Sequence, residues 1–178
     1  MLAYLVLLVA LLSRLLPPVL HLTAMNFTAV GGCLLFFGSR RSRWQSTVGV
    51  AALMVTDYLL TVYAYHFAFH VQAYLVTWFW YAGVCLLGSS LLRRATVLRL
   101  IAGVAGSATS FFLLSNFVVW MGKMYPHSLS GLSACYIAAL PFYRNDLVST
   151  GITAGVLFGL PVLAARMVNA GAHQQTAS

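Results

Sequence analysis

The chain has 178 residues, of which 61% are hydrophobic and 7% charged, and ten basic side chains against two acidic ones leave a net charge of +8. Soluble domains run at about 45–50% apolar and about 25% charged, so this composition excludes a soluble globular protein and describes an integral membrane one. At about 20 residues a span, the length holds six transmembrane helices with short loops and no separate soluble domain. The arginines stand at the ends of apolar runs, where they anchor beside anionic lipid, and not interleaved with aromatics on a polar face; nucleic acid is therefore not an expected partner. Cys33, Cys85 and Cys135 are widely spaced without a C-x-x-C pair, which points to neither a disulfide framework nor a zinc site.

In chain order, Met1 to Leu16 is an apolar run without the basic start and small-residue end of a signal peptide. It reads as an uncleaved first helix that the pair Pro17-Pro18 stops, because proline lacks a backbone donor and restricts the residue before it. After a short loop with His21, the second helix runs from Thr23 to Gly38, carries Asn26 and the pair Gly31-Gly32, and ends at Arg40, Arg41 and Arg43. Asn26-Phe27-Thr28 matches a glycosylation sequon, but at the start of an apolar helix it is a chance match.

Ser46 to Tyr65 is the third helix, and it places Asp57 about 16 Å along, near the bilayer midplane or somewhat outward of it. An ionised carboxylate there needs a partner, and Arg144 is the expected one. The connection Tyr63 to Tyr74 carries His66 and His70 between two apolar stretches and is the expected centre of a ligand site. Gln72 to Leu92 is the fourth helix, whose Tyr74, Trp78, Trp80 and Tyr81 form an interfacial aromatic belt or a stacking surface for a ligand.

Arg93, Arg94 and Arg99 precede the fifth helix, Val97 to Trp120, in which Gly103, Gly106 and Ser107 allow close approach and Asn116 is polar in apolar surroundings. Met121 to Asn145 reads as an outer loop with a short lid helix from Leu129 to Leu140, followed by Tyr143, Arg144, Asn145 and then Asp146 as the cap of the last helix. That helix runs from Leu147 to about Met167, and its ridge of Gly151, Gly155 and Gly159 predicts a packing seam within the chain. The expected fold is all-α and membrane-integral: six transmembrane helices plus a short outer lid helix in one domain, 1–168, with a polar cytoplasmic tail, 169–178.

Orientation follows from the basic residues near helix ends. Arg40, Arg41, Arg43, Arg93, Arg94, Arg99 and Arg166 fall on one side, and Arg14, Lys123 and Arg144 on the other. Seven against three puts both termini in the cytoplasm with six spans. His21, His66, His70 and His127 then face outward. The candidate ligand-binding residues are Asn26, Asp57, His66, His70, Tyr74, Asn116, Tyr143, Arg144 and Asn145. With no H-E-x-x-H, no G-x-S-x-G, no phosphate loop and too few acids for paired-carboxylate chemistry, an enzyme is not expected.

The stretches Asn26-Phe-Thr-Ala-Val-Gly-Gly32, Thr56-Asp-Tyr-Leu-Leu-Thr61, Ala73-Tyr-Leu-Val-Thr-Trp78, Leu114-Ser-Asn-Phe-Val-Val-Trp120 and Ala134-Cys-Tyr-Ile-Ala-Ala-Leu-Pro-Phe-Tyr-Arg-Asn145 resemble an uncharacterised family of small bacterial membrane proteins. That family looks related to the S components of energy-coupling-factor vitamin transporters and, more loosely, to BtuM-type cobalamin transporters. The resemblance implies six helices, cytoplasmic termini and an outward site for a vitamin-like small molecule, with membrane lipid and an energy-coupling module as partners. Were the ligand cobalamin, His70 would be the metal ligand and His66 the fallback, since BtuM-type proteins use a cysteine that this segment lacks. An A-x-x-x-A docking patch, usual on the first helix of S components, is missing, because Ala3 and Ala10 do not have that spacing. The expected function is a substrate-binding membrane transporter with no certain cofactor. The alternatives are a haem- or quinone-binding oxidoreductase subunit and a structural membrane subunit.

Overall fold

The computed structural model describes residues 1–19 and 28–175, with the side chains of 1–15 and 28–161. The described residues form six helices and no strand: α1 (Leu2–Val19), α2 (Val30–Arg40), α3 (Arg43–Leu59), α4 (Val71–Leu91), α5 (Val97–Met121) and α6 (Leu129–Gln175). A π-helical turn, Leu60–Ala64, continues α3. Three segments, Arg43–Ala64, Val71–Leu91 and Val97–Met121, are long and apolar enough to cross a membrane, whereas α1 and α2 are shorter apolar helices. Large apolar side chains such as Leu5, Leu12, Phe79, Ile101 and Ile152 point outward all around the bundle, a surface suited to hydrocarbon and not to water.

The bundle is built around α2. Its sequence, Val-Gly-Gly-Cys-Leu-Leu-Phe-Phe-Gly-Ser, is apolar or small on every face, so all of it up to Ser39 is buried, as a helix hydrophobic all round must be. α1, α4 and α6 pack against it, with α3 and α5 making smaller contacts. Two glycines make the crossing with α4 very close: a methyl on Gly38 would stand 2.1 Å from the Cys85 carbonyl oxygen, and one on Gly88 would stand 2.2 Å from that of Leu35. Backbones can approach that far only where no Cβ intervenes. α1 contributes Ala3, Val6, Leu7 and Ala10, spaced three and four apart on one face, and turns Leu2, Leu5, Leu8 and Leu12 outward.

Local chemistry sets several helix ends. Ser42 and Gln45 form a reciprocal capping box at the start of α3, and the Thr96 side chain accepts from the Arg99 backbone N–H at the start of α5. The expected stop at Pro17-Pro18 is overturned, for α1 continues to Val19. The expected lid helix, the break at Pro141 and the Asp146 cap are overturned too: α6 is one helix of 47 residues with Pro141 and Pro161 inside it, and it includes the tail as far as Gln175. Proline's fixed φ is itself helical, and in bundles packed for the membrane, neighbouring groups take up the backbone partners it leaves.

The seam expected along Gly151, Gly155 and Gly159 is also absent among the described residues. Gly155 and Gly159 would have open space around a methyl, and Gly151 comes near only Val104. The face of α6 that packs on α2 carries Thr150, Thr153 and Ala154 against Gly31 and Gly32, and Phe158 edge-on to Phe36. Thr150, Ala154 and Phe158 each lie one residue before a glycine of the expected seam, which at 3.6 residues per turn is about 100° around the helix.

Candidate functional site

Asp57 is 1% exposed and is held by donors from two helices. The Arg14 guanidinium, from the later part of α1, forms a salt bridge to its Oδ1. From α4, Trp78 Nε1 donates to Oδ2 at 2.9 Å and the Tyr81 hydroxyl to Oδ1 at 3.5 Å. Arg14 completes the circuit by donating to the Tyr81 hydroxyl at 3.0 Å. One turn beyond Asp57, Thr61 Oγ1 bonds the Asp57 carbonyl at 2.7 Å and the Tyr74 hydroxyl at 2.6 Å. Tyr74 and Trp78, four apart on α4, stack with Phe69 from the preceding loop. The carboxylate therefore has both its charge and its lone pairs satisfied, as a buried anion requires.

Next to this cluster lies a cavity of about 460 Å³. Arg14, Asp57, Tyr74 and Tyr81 line one part of it, Trp80, Phe111, Phe112 and Phe142 supply apolar rings, and Ser115, Asn116, Tyr143 and Asp146 add polar groups. A smaller cavity of about 200 Å³ shares Arg14, Thr28, Asp57 and Tyr74 and extends to Thr61 and Tyr65. The cavity residues of α3, α4 and α5 lie in the half of each helix remote from Arg40–Arg43 and Arg93–Arg99, reaching the midpoint of α4 at Tyr81, so the site lies toward the end of the bundle opposite the arginine clusters. Asp57 itself is 14 residues after Arg43, about 21 Å along the helix.

On the α5–α6 side the bonding differs. Trp80 Nε1 donates to the Ser107 carbonyl at 3.2 Å and to Ser110 Oγ at 3.0 Å, and the Thr109 and Tyr143 hydroxyls bond at 2.9 Å. Asp146 Oδ2, Thr150 Oγ1 and Ser107 Oγ are buried without a hydrogen-bond partner among the described residues.

Residues 1–172 match the sequence model of a family of unknown function, DUF6580. The chain belongs to that family. No curated protein and no solved structure matches it.

Of the residues singled out from the sequence of this DUF6580 member, Asp57, Tyr74, Asn116 and Tyr143 meet at the main cavity. Asn26 and His21 lie outside the described residues. His66 and His70 are exposed and do not line either cavity; His66 sits in the loop with a φ of 56°, and His70 is the residue before the first turn of α4. Arg144 is exposed and Asn145 partly so, and neither reaches the cavity. The expected Arg144–Asp57 pair is thus replaced by Arg14–Asp57. Arg144 falls two residues from Asp146, on another face of α6, and faces outward.

The sequence reading missed Arg14 and Asp146 as site residues, and treated Trp78 and Tyr81 only as belt or stacking residues. A signal for Arg14 existed: it is a lone cation inside an apolar run, on the side with the fewer basic residues. Cations so placed are there for a partner.

Proposed function

We propose that this protein is a substrate-binding membrane transporter whose main cavity takes a vitamin-like small molecule. The cavity itself carries the reading. At about 460 Å³ it falls within the range of about 300–1,000 Å³ typical of small-molecule sites, and its aromatic walls with a few convergent polar groups fit that class. Because Arg14 and Asp57 neutralise one another, that part of the wall presents no net charge, and the favoured ligand combines a flat ring with hydrogen-bonding groups for Asn116, Ser115 and Tyr143. Cobalamin, with its corrin and nucleotide, is larger than this space, and the exposed His70 would meet it only outside the cavity.

In this reading the six helices span a bacterial inner membrane with both termini cytoplasmic, and the arginine clusters opposite the cavity mark the cytoplasmic side. The cavity would then open outward, as expected of a family related to the S components. An energy-coupling module remains the proposed partner, but Ala3 and Ala10 are 4% and 0% exposed, so docking would use the outward leucines of α1 and not an alanine patch. Impermeant thiol labelling of intact cells tests the orientation: after Cys33, Cys85 and Cys135 are replaced, Ser128→Cys is expected to react and Ser42→Cys to be shielded.

The ligand reading is tested by denaturing detergent-purified protein and identifying the released small molecules by mass spectrometry. One species is expected to be enriched over a Ser115→Trp variant, which fills the cavity. Identical profiles from the two proteins would sink the reading. An absorption spectrum of the same sample separates the haem alternative, which requires a Soret band, from the colourless ligand expected here.

A further inference from the structure

We propose that Asp146, Thr150 and Ser107 form a binding site for a sodium ion beside the main cavity. A carboxylate within a membrane bundle is held by a cation, by hydrogen bonds or by both. Asp57 has both, but Asp146 forms no salt bridge among the described residues, and its buried Oδ2 has no donor within 3.5 Å among them, the Thr150 hydroxyl being its polar neighbour. The nearest cation in sequence, Arg144, is exposed, and Arg14 is engaged by Asp57 and Tyr81.

The Ser107 and Thr150 hydroxyls differ from several others in the bundle. Ser and Thr in membrane helices commonly bond a carbonyl of the preceding turn. Thr56, Thr61, Ser110, Ser115 and Ser149 all do so here. Ser107 and Thr150 are 0% exposed and have no such bond. Both oxygens turn instead toward Gly31 of α2, where a methyl would lie 2.6 Å from Thr150 Oγ1 and 3.2 Å from Ser107 Oγ. Asp146 and Thr150 are one turn apart on the same face of α6, and Thr150 and Ser107 come together from α6 and α5 at Gly31.

The donor set selects the ion. Oxygen ligands without histidine or cysteine suit a hard cation. One carboxylate and two neutral hydroxyls carry a single negative charge, so a monovalent ion leaves the site neutral, whereas a divalent one would leave a buried positive charge. The tight approach at Gly31 favours a small ion. A proton on Asp146 would cancel the same charge and leave a carboxyl that can bond the Thr150 hydroxyl, an occupant told from sodium by whether stability follows pH or the cation. Asp146 lines the cavity, which provides the ion's entry path and the side from which water or ligand oxygens complete its coordination.

The test uses the full chain purified in detergent in choline chloride, with no small molecule added. Saturable binding of radioactive sodium is expected at one ion per chain, with a higher Tm in sodium chloride than in potassium or choline chloride at equal ionic strength. Asp146→Asn and Thr150→Val should each weaken sodium binding about tenfold or more, as expected for loss of a hydrogen-bonding partner of a charged group. Thr150→Val is nearly isosteric and reads the site even where Asp146→Asn lowers the yield. Ser89→Ala, which removes a hydroxyl bonded to the Leu86 carbonyl away from the cavity, should keep full binding. Equal Tm in the three salts without saturable sodium binding would overturn the proposal, as would undiminished binding in both variants. A Tm that follows pH but not the cation would assign the site to a proton and overturn it equally. None of these outcomes bears on whether a small molecule occupies the cavity, which the mass-spectrometric comparison decides.

Discussion

The only two acidic side chains in the sequence line the same cavity and are partnered in opposite ways. Asp57 receives a guanidinium, an indole N–H and a phenol. Asp146 has a buried oxygen with no partner among the described residues. The low-dielectric interior imposes the same demand on both, so the difference lies in what meets it. The protein's own side chains answer at Asp57 and make a fixed wall; at Asp146 the proposed sodium ion would answer. A buried polar group satisfied from within is structural, and one left unsatisfied is a candidate for binding.

The comparison breaks most visibly at Arg14. Arg14→Leu leaves the Asp57 carboxylate buried without its cation, and truncating one member of a buried pair destabilises by about 3–5 kcal/mol. Denaturant unfolding in detergent measures this, and adding Asp57→Asn should restore much of the loss by removing the stranded charge. A full penalty retained in the double variant would show that the pair is not the unit drawn here.

Trp78→Phe removes one donor to Oδ2 and keeps the apolar ring. A hydrogen bond to a charged group contributes about 1.5–3 kcal/mol, so a loss in that range is expected in the same unfolding assay, with the Arg14 bridge intact. A neutral result would mean that the indole merely packs beside the carboxylate.

Gly31→Ala sharpens the contrast from the other side, since its methyl would meet Thr150 Oγ1 and Ser107 Oγ while Asp57 and its donors remain untouched. Overpacking of this kind typically destabilises by about 1–3 kcal/mol. The variant should also lose the sodium-dependent rise in Tm, and a retained rise would detach the two hydroxyls from the ion.

The smallest effect is expected at Asp146. In sodium-free buffer Asp146→Asn replaces an unpartnered carboxylate with a neutral group of the same shape, so stability should stay within about 1 kcal/mol of the parent. A loss as large as that of Arg14→Leu would show that Asp146 has a partner within the fold.

Helix positions were largely legible because apolar runs bounded by arginines are a local signal: α4 and α5 start and end within a residue or so of the expected limits. The long α6 was not legible, because Pro141 followed by Arg144-Asn145-Asp146 has the composition of a break, while the packing of Thr150, Thr153 and Ala154 on α2 lies elsewhere in the chain. The histidines misled for a related reason. They are the chemically versatile residues of the loops, but the cavity is formed inside the bundle by aromatic and small polar side chains that read in isolation as interfacial belt or packing.

The sequence alone determined the helical architecture, with helices long and apolar enough to cross a membrane, the placement of charge at helix ends and the requirement that Asp57 be paired, because each follows from composition or from periodicity along one helix. Which arginine meets Asp57 was decided only by the tertiary structure. Arg14 and Arg144 are both cations expected near the same end of the bundle, and no local pattern ranks one above the other. The choice depends on how the helices cross, with α1, α4 and α6 seated on α2 and the glycine contacts at Gly38 and Gly88 fixing the approach of α4. That packing leaves Arg14 and Tyr81 within reach of Asp57 and Arg144 facing out. Contacts between helices depend on the rotation and depth of each helix against its neighbours, and a spacing along the chain encodes neither.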